Sequence, residues 1–309
     1  MARLALYDSV IIFRLQSNSM SNTGQIIAER SRDIGDFLVG RILPFRKKRM
    51  VGPFIFIDHM GPSEIGPGKY MDIGQHPHTG LSTLTYLFEG EMMHKDSMGS
   101  NQRIVPGAVN WMTAGRGVVH TERTPVDYRD GKKRTVHGFQ IWVALPKALE
   151  DMEPEFHHVE AKNLPIWREG ALDFTLIAGE AFGRKSPVPV HSPLFMLQIK
   201  ALSSSSFDLK GAARGEVGVC VVKGEVQACN EVVGAGNMLV SKIEDSCKIQ
   251  LSKGSHVLLF GGEAFPEERF INWNFVATSK ERLEEARNRW KNGEFELIPE
   301  EGPVIPLPR

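Results

Sequence analysis

Three things are scarce in this 309-residue chain, and each scarcity excludes something. Cysteine comes first: Cys220, Cys229 and Cys247 all fall in the second half, with no C-x-x-C pair. An odd, widely spaced set is a poor disulfide frame, so reduced thiols packed as small hydrophobes in a cytoplasmic protein are expected. Long apolar runs are missing too: none approaches the ~18 residues of a spanning helix. Charge of one sign is the third. Lys+Arg and Asp+Glu both number 37, so nothing in the balance draws the chain toward nucleic acid or an anionic membrane.

The short apolar run Val10-Ile11-Ile12-Phe13 lacks the basic flank and small-residue cleavage site of a secretory signal. Residues 1–19 are expected to be a loose N-terminal extension. The length beyond them exceeds a usual domain of ~100–200 residues, which predicts two domains. Residues 20–150 and 151–309 are the natural halves, because the stretch from Leu145-Pro146 to Pro165 is rich in charge and proline, as a linker would be.

What the chain does contain is mostly strand. Leu84–Phe88, Phe139–Leu145, Phe174–Ala178, Val217–Val222 and His256–Phe260 are β-branched and aromatic runs bounded by Gly, Pro and Asx turns. Such spacing suits sandwiches or barrels better than βαβ units. Helix is expected only near the end. Thr278 with Glu281 makes a capping-box pattern, Leu283, Ala286 and Trp290 share one face, and Gly293 supplies a stop. A faint internal repeat adds to the case for tandem β-units. Phe88-Glu89-Gly90-Glu91 resembles Val222-Lys223-Gly224-Glu225, and Gly107–Met112 resembles Gly234–Leu239.

Two spaced pairs carry the chemistry: His76-Pro77-His78 and His120-Thr121-Glu122. Residues i and i+2 of a strand point to the same face, so each pair aims two ligand atoms into one space. Forty-one residues separate His78 from His120, enough for several antiparallel strands before the chain returns. Three imidazoles and a carboxylate without sulfur suit iron, nickel, manganese, copper or zinc. A lone histidine would be read as an ordinary core or surface residue. The two pairs together favour a metal. The small-residue loop Thr113–Gly117, directly before the second pair, is expected to let backbone approach the site.

These segments resemble the N-terminal cupin of the pirin family. The resemblance lies in His76-Pro77-His78-Thr79-Gly80 with Thr83–Tyr86, in His94–Gly99, and in Trp111–Glu122. It extends upstream to Gly52-Pro53-Phe54 and Asp58–Pro62, and downstream to Gln140–Pro146. It covers roughly residues 30 to 165 strongly and the remainder weakly. It implies an all-β bicupin, two tandem cupin (double-stranded β-helix, jelly-roll) barrels with a short C-terminal helix. It also implies one divalent non-haem ion, Fe(II) first among Zn, Ni, Mn, Co and Cu, on the residues matching His76, His78, His120 and Glu122.

Some members resembling this chain open flavonols such as quercetin with molecular oxygen, so a metal-dependent dioxygenase is the first functional expectation. Its partners would be a small aromatic substrate and O2, and Glu122 could also take the substrate's enol proton as a general base. The alternative is a non-enzymatic, metal-binding regulatory protein with a protein partner, since other members are described so. A monomer without direct nucleic-acid binding is expected in either case. A cupin isomerase or zinc-dependent sugar enzyme fits less well, because only Arg116 stands near as a phosphate-binding group.

The second half departs from the ligand pattern. Aligning Gly90 with Gly224 puts Lys210 and Ala212 at the positions of His76 and His78. Aligning Gly107 with Gly234 puts Cys247 and Ile249 at those of His120 and Glu122. The second cupin is therefore expected to be metal-free. His94 and Asp96 are read as surface residues before partners of a ligand. His59 is weighed as a residue of the cavity mouth, and His137 as a satisfied barrel histidine. The clusters Arg46–Arg49 and Lys132–Arg134 are expected to be solvated turns.

Overall fold

A computed structural model of the chain describes residues 24–33, 38–242 and 248–308. The expected extension at 1–19 and Cys247 lie outside the described residues. The strands begin with β1 (Gln25–Ala28), β2 (Arg30–Asp33), β3 (Leu38–Leu43), β4 (Phe54–Ile65), β5 (Asp72–His78) and β6 (Leu81–Glu89). They continue with β7 (Met92–Asp96), β8 (Asn101–Ile104), β9 (Val109–Thr113), β10 (Val118–Arg123), β11 (Arg134–Ala144) and β12 (Glu155–Val159).

The second half holds β13 (Ile166–Glu169), β14 (Leu172–Ala181), β15 (Arg184–Lys185), β16 (Leu194–Ala201), β17 (Ser205–Phe207) and β18 (Glu216–Lys223). After these come β19 (Glu225–Ala228), β20 (Glu231–Gly234), β21 (Asn237–Lys242), β22 (Ile249–Leu251) and β23 (His256–Gly262). A hairpin of β24 (Phe270–Asn272) and β25 (Phe275–Ala277) leads into the helix α1 (Lys280–Lys291).

Each half folds as a large and a small antiparallel sheet. In the first, β12-β9-β6-β11-β4-β3-β2 faces β5-β10-β7-β8. In the second, β1-β21-β18-β23-β16-β14-β13 faces β17-β22-β19-β20. The two orders match strand for strand, so the faint repeat was real. Its turn glycines Gly90 and Gly224 stand at equivalent corners with φ of 81° and 78°, a region open to glycine. The five strands expected from composition fall on β6, β11, β14, β18 and β23, with only Leu145 lying beyond the end of its strand, β11.

The ends of the chain cross between barrels. β1 pairs with β21 of the second barrel, while β12, within the charged and proline-rich stretch, pairs with β9 of the first. Outer faces of the two large sheets meet in one apolar layer that includes Phe54, Ile57, Phe139 and Ile141 against Met196, Cys220, Leu258 and Phe260. Fully burying a side chain of this size contributes about 1.5–3 kcal/mol, so the layer welds the barrels together. Cys220 is the buried free thiol expected, whereas Cys229 is disulfide-bonded, which corrects the expectation of three reduced thiols. Among the described residues no helix is long and apolar enough to cross a membrane.

The helix has the expected buried face of Leu283, Ala286 and Trp290, packed with Val119 of the first barrel and Phe275 of the β24–β25 hairpin. Its N-cap is Ser279, one residue later than expected, and the Ser279 side chain accepts from the Arg282 N–H. Thr278 instead donates to Glu150 at 3.1 Å. At the other end Glu294 N–H reaches the Arg289 carbonyl and Gly293 N–H that of Trp290, a Schellman closure with Gly293 at φ 73°.

Candidate metal centre

The first pair lies on β5 and the second on β10, which are neighbours in the small sheet of the first barrel. Register places His120 opposite His76 and Glu122 opposite Ile73, so two residues of β10 span three of β5. The bulge this creates at Gly74-Gln75 leaves His76 and His78 inward-facing beside His120. Ring centroids lie 5.2 Å apart for His76–His78, 4.3 Å for His76–His120 and 4.9 Å for His78–His120. One ligand nitrogen from each falls within 4.8 Å of the others.

The protonation of these rings suits ligation. Burial pushes His76 down to about 4 and His78 and His120 well below the usual imidazole range, so all three are neutral near pH 7. His76 donates its Nδ1–H to the Gly74 carbonyl at 2.8 Å, which leaves the lone pair on Nε2. His78 Nδ1 and His120 Nε2 are buried and bonded to no protein atom. An unpaired buried polar atom costs ~1–3 kcal/mol, so two in neighbouring rings call for a partner. A divalent cation facing three neutral imidazoles would be that partner, and the donor set fits one.

Glu122 stands outside that set of three. It is buried and lines the same cavity, and its Oε1 is 3.4 Å from the Thr85 hydroxyl. Burial raises its pKa, an effect that His94 and Thr85 oppose. The cavity has a volume of about 550 Å³ and reaches His76, His78 and Glu122. One wall is a stack: the Arg41 guanidinium over Phe56, Phe56 on Trp142 at 4.0 Å and 14°, and Trp142 edge-on to His78 at 5.0 Å. Trp273, Asn274 and Ile305 close it from the far end of the chain. A larger hollow of about 880 Å³ opens on the second barrel near Arg184 and Arg214, and among the described residues no histidine cluster faces it.

Several secondary expectations are corrected. His94 and Asp96 are not surface residues: they are 4% and 2% exposed and point inward, each cross-strand from a member of the second pair. Their i, i+2 spacing on β7 has the same period as that of His76 and His78, and burial decides for the reading as partners of a ligand. His59 turns away from the cavity on β4. Its Nδ1 lies 3.0 Å from Glu29 and its Nε2 2.9 Å from His137, which satisfies His137 as expected. Glycines 115 and 117 admit neighbours other than the site. A Cβ at Gly115 would lie 2.0 Å from the Met152 carbonyl, and one at Gly117 would lie 2.6 Å from the Phe295 ring. Arg116 pairs outward with Glu153 and is no substrate clamp. Arg46, Lys47, Arg49, Lys132 and Lys133 are exposed in turns and loops, as expected.

The second barrel carries no such set among its described residues. Lys210 is exposed in a turn, and Ile249 is buried with Phe174, Phe207 and Leu251 in an apolar interior. Where the first barrel opens a polar pocket, the second packs side chains.

Comparison with known proteins agrees with this architecture. The Pirin family model matches residues 37–143, and the Pirin C-terminal cupin domain matches 196–296. A pirin-like protein of Caulobacter vibrioides is 45% identical over 90% of this chain and 97% of its own length. The chain belongs to the pirin family. A crystal structure of quercetin 2,3-dioxygenase from Acinetobacter baumannii superposes with a TM-score of 0.85 at 37% identity, covering 93% of this chain and 96% of that one. An Escherichia coli bacterial pirin solved with nickel(II) shares the fold, with a TM-score of 0.63 at 21% identity over 79% of this chain and 100% of that one. Residues matched by this family thus form the bicupin, and the metal-type triad sits in its N-terminal barrel.

Proposed function

We propose that this pirin is a metal-dependent dioxygenase that opens flavonol-like aromatic enols with O2, using Fe(II). The observation that carries the reading is the pairing of three neutral, converging imidazoles with a deep cavity walled by aromatic rings. A sensor that only reports metal occupancy needs an exposed rim, whereas turnover of a small aromatic needs an enclosed pocket of several hundred Å³ at the ligands. The 550 Å³ cavity favours the enzyme over a non-enzymatic regulatory protein.

His76, His78 and His120 would hold the ion, with Glu122 as the fourth ligand. When bound, a divalent redox metal supplies a Lewis-acid centre at which an enolate and dioxygen can meet. The protein's share is placement and proton handling. Phe56 and Trp142 give the cavity an apolar side that would border the substrate's rings. Glu122, whose affinity for a proton is raised by burial, would take the enol proton as general base. A division near residue 150, apart from the exchanged strands β1 and β12, and a monomeric state belong to the same proposal.

The test is anaerobic loading with Fe(II), followed by oxygen uptake and carbon monoxide release with quercetin. Uptake well above that of an equal amount of free iron is expected. Uptake no faster than free iron, from protein shown to hold metal, would sink the enzyme reading.

A further inference from the structure

His120 differs from its two fellow ligands in how its second nitrogen is held. No carbonyl meets its Nδ1; the nearest partner is another imidazole, His94 Nδ1, at 3.4 Å. Two imidazole nitrogens can share one hydrogen bond only if one donates and the other accepts. Which does which is settled one residue further back. His94 Nε2 lies 2.9 Å from Asp96 Oδ2, and a carboxylate only accepts. Asp96 cannot turn away, because its other oxygen, Oδ1, accepts the backbone N–H groups of Met98 and Ser100, both at 3.0 Å. The His94 ring is held flat against Phe156 at 4.5 Å and 16°.

The bonds then follow in order. In the tautomer that gives Nε2–H to Asp96, His94 carries its lone pair on Nδ1. His120 must donate Nδ1–H to it, and its own lone pair falls on Nε2, the atom that is buried and unpaired beside the other two imidazoles. We propose that Asp96 and His94 are positioning residues, a carboxylate–imidazole relay that selects the metal-binding tautomer of His120. Asp96 lies cross-strand from His120 and His94 from Glu122, so the relay is built into the β7–β10 register. This inference rests on a metal at the triad, and it deepens that reading by naming what prepares the third ligand.

The experiment uses the full chain, ¹⁵N-labelled at histidine, in two measurements. In the metal-free protein, long-range ¹H–¹⁵N spectra report which nitrogen of His94 and His120 carries hydrogen. Competition between the protein and a chelator reports Ni²⁺ affinity. The decisive variant is Asp96→Asn, because its Oδ1 still accepts from Met98 and Ser100 while its NH2 faces His94. His94 is then expected to flip to Nδ1–H, displacing the proton of His120, and Ni²⁺ affinity should fall about 10- to 100-fold. His94→Asn, whose carbonyl can stand near the place of Nδ1, should keep affinity close to wild type. His94→Leu should not.

A wild-type His120 protonated at Nε2, or an Asp96→Asn protein with an unchanged His120 tautomer and affinity within twofold of wild type, would overturn the relay. A wild type that binds Ni²⁺ with the expected tautomers but opens no flavonol would remove the dioxygenase proposal and leave the relay standing, whereas a wild type that binds neither Ni²⁺ nor Fe(II) would overturn both.

Discussion

The side-chain oxygen of Gln75 accepts the backbone N–H of Ile298 at 2.8 Å, a bond between residues 223 positions apart. Gln75 sits in the bulge next to His76, and three further contacts reinforce the tie. Its NH2 reaches the Gly302 carbonyl at 3.2 Å, its own carbonyl accepts from Ile305 at 2.8 Å, and it forms a parallel bridge with Val304. Lys95 and Arg123 clamp Glu301 in the same stretch. The C-terminal segment is thus stitched to the strand that carries two of the candidate ligands, and Ile305 becomes part of the cavity wall.

From that stitching, Gln75→Ala should leave the Ile298 N–H buried without a partner, at a cost of about 1–3 kcal/mol. Urea denaturation of the metal-free protein measures it, and limited proteolysis should cut earlier between residues 296 and 308. An unchanged midpoint and cleavage pattern would mean that the tail is held by its apolar contacts alone.

Removing a ligand should separate metal from fold. His76→Ala is expected to lose nearly all the metal found by elemental analysis of the wild type purified without chelators, while its far-UV circular dichroism stays the same. Stripping metal from the wild type should lower its thermal midpoint, because a ligand bound only to the folded state stabilises by mass action. Metal retained at wild-type stoichiometry in the variant would place the ion elsewhere.

Stability should fall in mild acid through histidines that are not ligands. Burial lowers His256 to about 3, with Lys200 and His137 adding to the effect, and burial with the neighbouring His59 lowers His137 to about 4. Both folded-state values lie below the unfolded value of about 6.5. The unfolded chain therefore binds more protons between those limits, and stability rises with pH there. Their contribution is whole above about pH 6.5 and is lost as pH falls toward 4 and then 3. One such histidine adds a slope of at most about 1.4 kcal/mol per pH unit, and less for the half-exposed His137. Denaturation midpoints of the metal-free protein from pH 7 to 4 test this. His256→Asn should flatten the slope, and an unaltered slope would assign acid sensitivity to other groups.

Much of this was legible in the linear chain because its signals are local. A strand alternates faces every residue, so two i, i+2 pairs announce a shared inward face without any knowledge of the partner strand. The same period was available in His94 and Asp96, but polar side chains on a strand are equally at home in water. Only the sheet order, with β7 beside β10, decided that they point inward. The helix start was displaced by one residue because Thr278 and Ser279 are both competent caps, and Glu150, far away in sequence, accepts a hydrogen bond from the first.

By itself the sequence determined the strand-rich class, the duplication and the three converging histidines, each written in short-range spacing. Tertiary structure alone decided what surrounds those histidines: the crossing of chain ends, the closing of the cavity by Trp273 and Ile305, and the orientation of each imidazole's second nitrogen. The reason is physical. Facing direction repeats along a strand and can be read from neighbours in sequence, whereas burial and hydrogen-bond partnership depend on segments that meet only after the barrels have packed.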